Sequence, residues 1–161
     1  MNLLSIVSAA ICVDFLFMIY IKYTNVGEAV NKWYLEYGLT AVLLDSLVII
    51  LGVMLAYFLF PDGGVMTIAV VSVAIQLVHD YLFYLGVIRP LPSGTNRIID
   101  LFKQYSQEHS WKILVADSLM MISTVVIADC LTNYSTDIQS FVGLLALYSA
   151  LYLIYTKPST T

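Results

Sequence analysis

Charge is what this chain has least of: Asp, Glu, Lys and Arg make up 11% of its 161 residues, while 60% are hydrophobic. An ordinary soluble domain carries about 25% charged residues, so a soluble globule and a solvated disordered chain are both excluded. Basic residues are scarcer still, 7 Lys and Arg against 11 Asp and Glu for a net charge of −4. No basic field exists to collect phosphates, and nucleic acid is not a partner. The 2 cysteines, Cys12 and Cys130, form no Cys-x-x-Cys pair and read as small apolar fillers. The 2 histidines, His79 and His109, stand in neither a Glu-x-x-His nor a His-Glu-x-x-His pattern, which excludes the di-iron bundle and the zinc protease. A Gly-rich phosphate loop, a nucleophile elbow and a mid-membrane lysine are missing too. The sequence therefore names no cofactor, and it leans away from an enzyme.

Long apolar runs are what remain. A spanning helix needs about 20 apolar residues, and five stretches qualify: Leu3 to Tyr23, Gly38 to Phe60, Val65 to Ile88, Trp111 to Leu131 and Ile138 to Tyr155. The expected fold is an all-α polytopic transmembrane bundle of five spans, one membrane domain over residues 1–161, with the lipid bilayer as its first partner. The first stretch is expected to remain as a span. No basic residue precedes it, Asp14 interrupts it, and it is too long for a signal's apolar region.

Five spans sort the basic residues completely. Lys22 and Lys32 fall in the first gap, Arg89, Arg97, Lys103 and Lys112 in the third, and Lys157 in the tail, with none in the other gaps or at the N-terminus. The positive-inside rule then puts the N-terminus outside and the C-terminus in the cytoplasm. The outer gaps are turn chemistry, Pro61-Asp62-Gly63-Gly64 and Thr132 to Asp137, which predicts hairpins between spans two and three and between spans four and five. With Asp129, they make an acidic outer rim.

The inner gaps read differently. After an Asn25…Glu28 capping pattern, Val26, Val30, Trp33, Tyr34 and Tyr37 recur at helical spacing, and after Thr95 so do Ile98, Leu101, Phe102 and Tyr105. Both are expected as amphipathic interfacial helices with the apolar face in lipid. Arg89 to Gly94 reads as a linker.

An internal repeat emerges from the comparison of the two halves. Leu44-Asp45-Ser46-Leu47 matches Ala116-Asp117-Ser118-Leu119, and at the same offset Glu36 falls on Glu108, Trp33 on Tyr105 and Val30 on Phe102. Val13-Asp14-Phe15-Leu16-Phe17 aligns with His79-Asp80-Tyr81-Leu82-Phe83. The expectation is a duplicated two-span unit, repeat one over 1–60 and repeat two over 65–131, followed by an extra span over 138–155. Even-spanned copies share one orientation, so their pseudo-axis would run along the membrane normal.

The repeat puts one aspartate in each of four spans. At a rise of 1.5 Å per residue, Asp14, Asp45, Asp80 and Asp117 lie about 14, 10, 12 and 9 Å from the cytoplasmic ends, in one layer. Each would cost roughly 2.5–3.5 kcal/mol if it faced lipid at a helix centre, so all four are expected to face inward as one cluster. Four carboxylates in one layer require protons or cations between them. Ser72, Gln76, Asp80 and Tyr84 make a polar stripe on span three, expected to line a path from the outer half, with His79 beside it as a proton shuttle, ligand or packing residue. Gly38, Asp45 and Gly52 share a face, as do Ser110, Asp117 and Thr124. Glu36 and Glu108, nine residues before the aspartates, would lie on opposite faces of continuous helices and are read as surface charges. His109 reads as interfacial.

These residues point first to binding or translocation of a proton or metal cation, with Asp14, Asp45, Asp80, Asp117, His79 and Gln76 as the candidate site. The alternatives are a membrane-embedded enzyme or binder of an amphiphile, with Asp as acid/base or counter-ion, and an assembly subunit without a site. Gly143, Ala146, Ser149 and Ala150 form a small-residue seam on span five, a surface for packing on the bundle or for a homo-oligomer.

Overall fold

A computed structural model describes residues 1–24 and 28–156, the stretch 108–112 in its helical backbone only. The residues Asn25, Val26 and Lys157 lie outside the described residues, as do the side chains of Glu108, His109, Ser110, Trp111 and Lys112. Among the described residues the chain is helical throughout: α1 (Leu3–Thr24), α2 (Glu28–Tyr37), α3 (Leu39–Leu59), α4 (Val65–Phe83) continued by a π-helical turn (Tyr84–Ile88), α5 (Arg97–Thr132) and α6 (Thr136–Tyr155). Five of these segments are long and apolar enough to cross a membrane, α4 together with its π-helical turn and α5 from Ile113 onward. Their outward faces carry large apolar side chains, among them Leu47, Leu51 and Phe58 on α3, Val70 and Tyr81 on α4, Leu119 on α5, and Phe141 and Leu144 on α6. So much exposed apolar surface suits lipid rather than water.

The most apolar-buried helix is α1, which packs against α3, α5 and α6. Its small residues Ser5, Ser8, Ala9 and Ala10 are buried, letting neighbouring backbones approach as helices in lipid require. The Ser8 hydroxyl donates to the Gln139 carbonyl at 2.8 Å, and a Cβ on Gly143 would come within 2.5 Å of Ser8 Oγ. Of the small-residue seam, Gly143, Ala146 and Ala150 are thus buried within the chain, and Ser149 is half-buried. The expected hairpin of α3 and α4 forms across the Pro61–Gly64 turn, whereas α6 leaves α5 after a short turn and packs along α1 instead. An antiparallel connection permits a packed pair but does not dictate it; the small-residue face of α6 finds its complement on α1.

Two local features depart from the sequence reading. The segment around Ile98–Tyr105 is not a separate interfacial helix: α5 runs 36 residues without a break, about 54 Å, longer than the roughly 30 Å of hydrocarbon. It starts at Asn96, whose side chain accepts from the Ile98 N–H at 2.8 Å, a helix N-cap. In the other half, a break does occur. Gly38 has φ 51 and ψ −122, a conformation that side chains with a Cβ resist, and there the chain turns back so that α2 lies against α3, α5 and α1. The apolar face of α2, with Val30, Trp33 and Tyr34 buried, is turned onto the bundle and not into lipid. Leu101 on α5 is buried in the same cluster. An aromatic face satisfies its burial equally well on protein, and the reversal at Gly38 brings the bundle within reach.

Candidate functional site

At the end of the bundle that carries α2 and the π-helical turn lies a cavity of about 860 Å³. Aromatic side chains supply much of its wall: Phe17, Trp33, Tyr34, Phe83, Phe102 and Tyr105. Trp33 packs on Phe102 with ring centroids 5.0 Å apart, Phe102 meets Phe83 edge-on at 6.2 Å, and Phe83 stacks on His79 at 5.8 Å. Leu44, Tyr81 and Leu114 line the cavity and are also exposed, so its mouth is edged by apolar groups of the spans themselves.

Three of the four candidate aspartates, Asp45, Asp80 and Asp117, open onto this cavity, with Gln76 and His79 beside them. Each is held differently. Asp45 Oδ2 accepts from Trp33 Nε1 at 2.9 Å and lies 2.9 Å from the Tyr34 hydroxyl. Along a continuous helix Tyr34 and Asp45 would stand about 17 Å apart; the reversal at Gly38 makes the contact. Asp80 Oδ1 accepts from Gln76 Nε2 at 2.8 Å and lies 3.1 Å from His79 Nδ1, while its Oδ2 is buried without a partner among the described residues. Asp117 sits within electrostatic reach of Asp80 and Asp45.

Asp14 is set apart. It is fully buried and is not part of the cavity lining. Its Oδ1 lies 2.9 Å from the Tyr34 hydroxyl, and its Oδ2 has no partner among the described residues. The expected single cluster is therefore three aspartates on a shared cavity and a fourth behind them, joined to Asp45 through Tyr34. Burial, followed by the neighbouring Asp45 and Asp14 carboxylates, pushes the Tyr34 hydroxyl well above the ordinary tyrosine value. Burial and the carboxylates of Asp117, Asp45 and Asp80 push Tyr105 up as well. Both phenols keep their protons at neutral pH.

The polar stripe on α4 does not lie on the cavity along its whole length. Gln76, Asp80 and Tyr84 border the cavity, but Ser72 is fully buried. Between the cavity and the acidic end stands a packed core that includes Ile6, Val13, Val53, Ile68, Met121 and Val125. The serines beside the aspartates do not bind them: Ser46 Oγ has no partner among the described residues and Ser118 Oγ donates to the Leu114 carbonyl at 2.6 Å. Among the described residues no three His, Cys, Asp or Glu side chains converge as a metal site would need. Glu36 is exposed, in keeping with a surface charge.

Sequence reasoning assigned Trp33, Tyr34, Phe102 and Tyr105 to the lipid interface; they belong to the site. Their helical spacing was visible, and so was Gly38, but nothing in the spacing distinguishes an aromatic face seated on lipid from one seated on protein. The π-helical turn, which puts Tyr84 and Ile88 on the cavity, has no sequence signal of its own, although such turns recur at functional sites. Compared with protein-family models, curated proteins and solved structures, the chain matches none.

Proposed function

We propose that the protein binds an organic cation with an apolar body, an amphiphilic ammonium or its like, in the aromatic cavity, with Asp45, Asp80 and Asp117 as counter-charges. One observation carries this reading: three carboxylates face a shared space walled by aromatic rings. Its volume, about 860 Å³, is typical of small-molecule sites and far larger than a proton or bare metal ion requires. Carboxylates in one low-dielectric space repel unless a positive guest or protons intervene, and aromatic faces attract cations. The apolar mouth favours a guest that arrives from the bilayer. Solid packing, the expectation for an assembly subunit, is not what surrounds the aspartates. Handling of protons at the same site is a second reading, favoured by the Tyr34 bridge between Asp14 and Asp45.

The proposal takes the N-terminus as outside and the C-terminus as cytoplasmic, on the strength of the one-sided basic residues, so the cavity lies in the inner half of the membrane. It also takes the chain as a duplicated unit. The support is that Trp33 stands twelve residues before Asp45 and Tyr105 twelve before Asp117, and both pairs line the cavity.

Tetraphenylphosphonium binding to the full chain in lipid nanodiscs, followed by tryptophan fluorescence, tests the reading, with neutral triphenylphosphine oxide as control. Saturable binding of the cation is expected, weakened about tenfold or more by either Asp45→Asn or Asp117→Asn, a loss of about 1.4 kcal/mol. Equal binding of the neutral compound, or no loss in either variant, refutes it.

A further inference from the structure

We infer that Tyr34 is a proton relay between Asp45 and Asp14: a cation entering the cavity meets an ionised Asp45, while the proton that Asp45 gives up is kept inside the protein on Asp14. The inference rests on the cation-binding reading and adds to it a second, internal site whose ligand is a proton.

Hydrogen counting at Tyr34 leads to it. The Tyr34 oxygen lies 2.9 Å from Asp14 Oδ1 and 2.9 Å from Asp45 Oδ2, yet a phenol has one hydrogen to donate. If both carboxyls were ionised, the hydroxyl would donate to one and turn its lone pairs on the charge of the other. One carboxyl therefore carries a proton and donates it to the Tyr34 oxygen, which donates its own to the other. The three groups form a chain of two O–H bonds with one negative charge at one end.

Such a chain can reverse without moving a heavy atom. The Asp45 O–H bond breaks as a new O–H forms on Tyr34; the former Tyr34 O–H bond breaks as one forms on Asp14. Protons and charge balance, and no other reactant is needed. Because Tyr34 ends as it began, its hold on its own proton, strengthened by burial and by both carboxylates, does not oppose the exchange.

The surroundings give the two ends different tasks. Asp45 borders the cavity, where the charge of the guest acts on it, and has the Trp33 N–H on its Oδ2 to hold it in place when its proton leaves. Asp14 is fully buried away from the cavity, its Oδ2 without a partner among the described residues, so the guest does not touch it. The other titratable groups facing Asp45 across the cavity are Asp80 and His79 from α4 and Asp117 and Tyr105 from α5. Among the described residues none of them is a fixed cation, so the guest supplies the positive charge that draws the proton away from Asp45.

Infrared difference spectroscopy on the full chain in nanodiscs, with and without tetraphenylphosphonium, tests the relay. In the wild type, cation binding should produce a paired carboxyl signal, one protonated C=O band lost and another gained. Asp14→Asn, away from the cavity lining, should bind the cation yet lose that pair, because the receiving carboxyl is gone; Tyr34→Phe, compared at a tetraphenylphosphonium concentration that saturates it, should lose the pair because the bridge is gone. Signals from Asp80 or Asp117 persist in both variants and are thereby separated. Cation binding without a paired signal in the wild type, or with the pair unchanged in either variant, overturns the relay and leaves the cation site standing. Absence of cation binding overturns both.

Discussion

Removing one oxygen atom, in Tyr34→Phe, tests the core of the site without reference to any ligand. The Tyr34 side chain is buried, 8% exposed, and its ring can stay where it is. What disappears is the hydroxyl that meets Asp14 Oδ1 and Asp45 Oδ2. Asp45 keeps the Trp33 indole. Asp14 keeps no partner among the described residues: its Oδ2 has none there, its Oδ1 loses the one it had, and the residue is 0% exposed. An ordinary interhelical hydrogen bond in a membrane protein contributes only about 0.6 kcal/mol, because the separated helices find other partners. A buried carboxyl left bare has no such substitute, and hydrogen bonds to ionisable groups are worth roughly 1.5–3 kcal/mol. We therefore expect Tyr34→Phe to destabilise the protein by about 2 kcal/mol, measured by reversible unfolding in mixed micelles of mild detergent and dodecyl sulfate, followed by circular dichroism. In an Asp14→Ala background the carboxyl that suffers is already gone, and the same change should cost less than about 1 kcal/mol, giving a coupling energy in the range found for groups in direct contact. A loss near 0.6 kcal/mol in both backgrounds would mean that Asp14 finds another partner, and the argument from its isolation would fail.

Gly38→Ala tests the reversal that seats α2. Its φ is 51, and a Cβ there would stand 3.0 Å from the Tyr155 hydroxyl, so the substitution should cost about 1–3 kcal/mol and weaken tetraphenylphosphonium binding with Asp45 untouched; unchanged stability and affinity would show that α2 does not depend on this residue. The orientation is checked by labelling with a membrane-impermeant maleimide after both native cysteines are replaced by alanine. Asp62→Cys and Asp137→Cys should react in intact cells and Lys157→Cys only after permeabilisation, and the opposite pattern would invert the topology.

Much of this protein follows from its amino-acid order alone. Apolar runs of bilayer length specify five helices long and apolar enough to cross a membrane, because a helix satisfies its backbone hydrogen bonds in hydrocarbon. The penalty for a carboxylate in lipid turned Asp45, Asp80 and Asp117 towards the interior, and the structure has them on one cavity. Depth along a helix is set by residue count, so a common layer is what the sequence leads one to expect of them. What the order of residues left open is how each helix rotates and which neighbour it meets. In a membrane the outside is as apolar as the inside, so the faces bearing Trp33, Tyr34, Phe102 and Tyr105 suit lipid and protein alike, and only the reversal at Gly38 decides for protein. The same ambiguity hid the docking of α6 on α1, where Gly143 against Ser8 settles by close contact what small-residue spacing merely permits. Asp14 differs from the other three aspartates for a similar reason: four like residues in one layer are equivalent in sequence, and only the packing of α2 over α1 and α3 puts a tyrosine between one of them and the cavity.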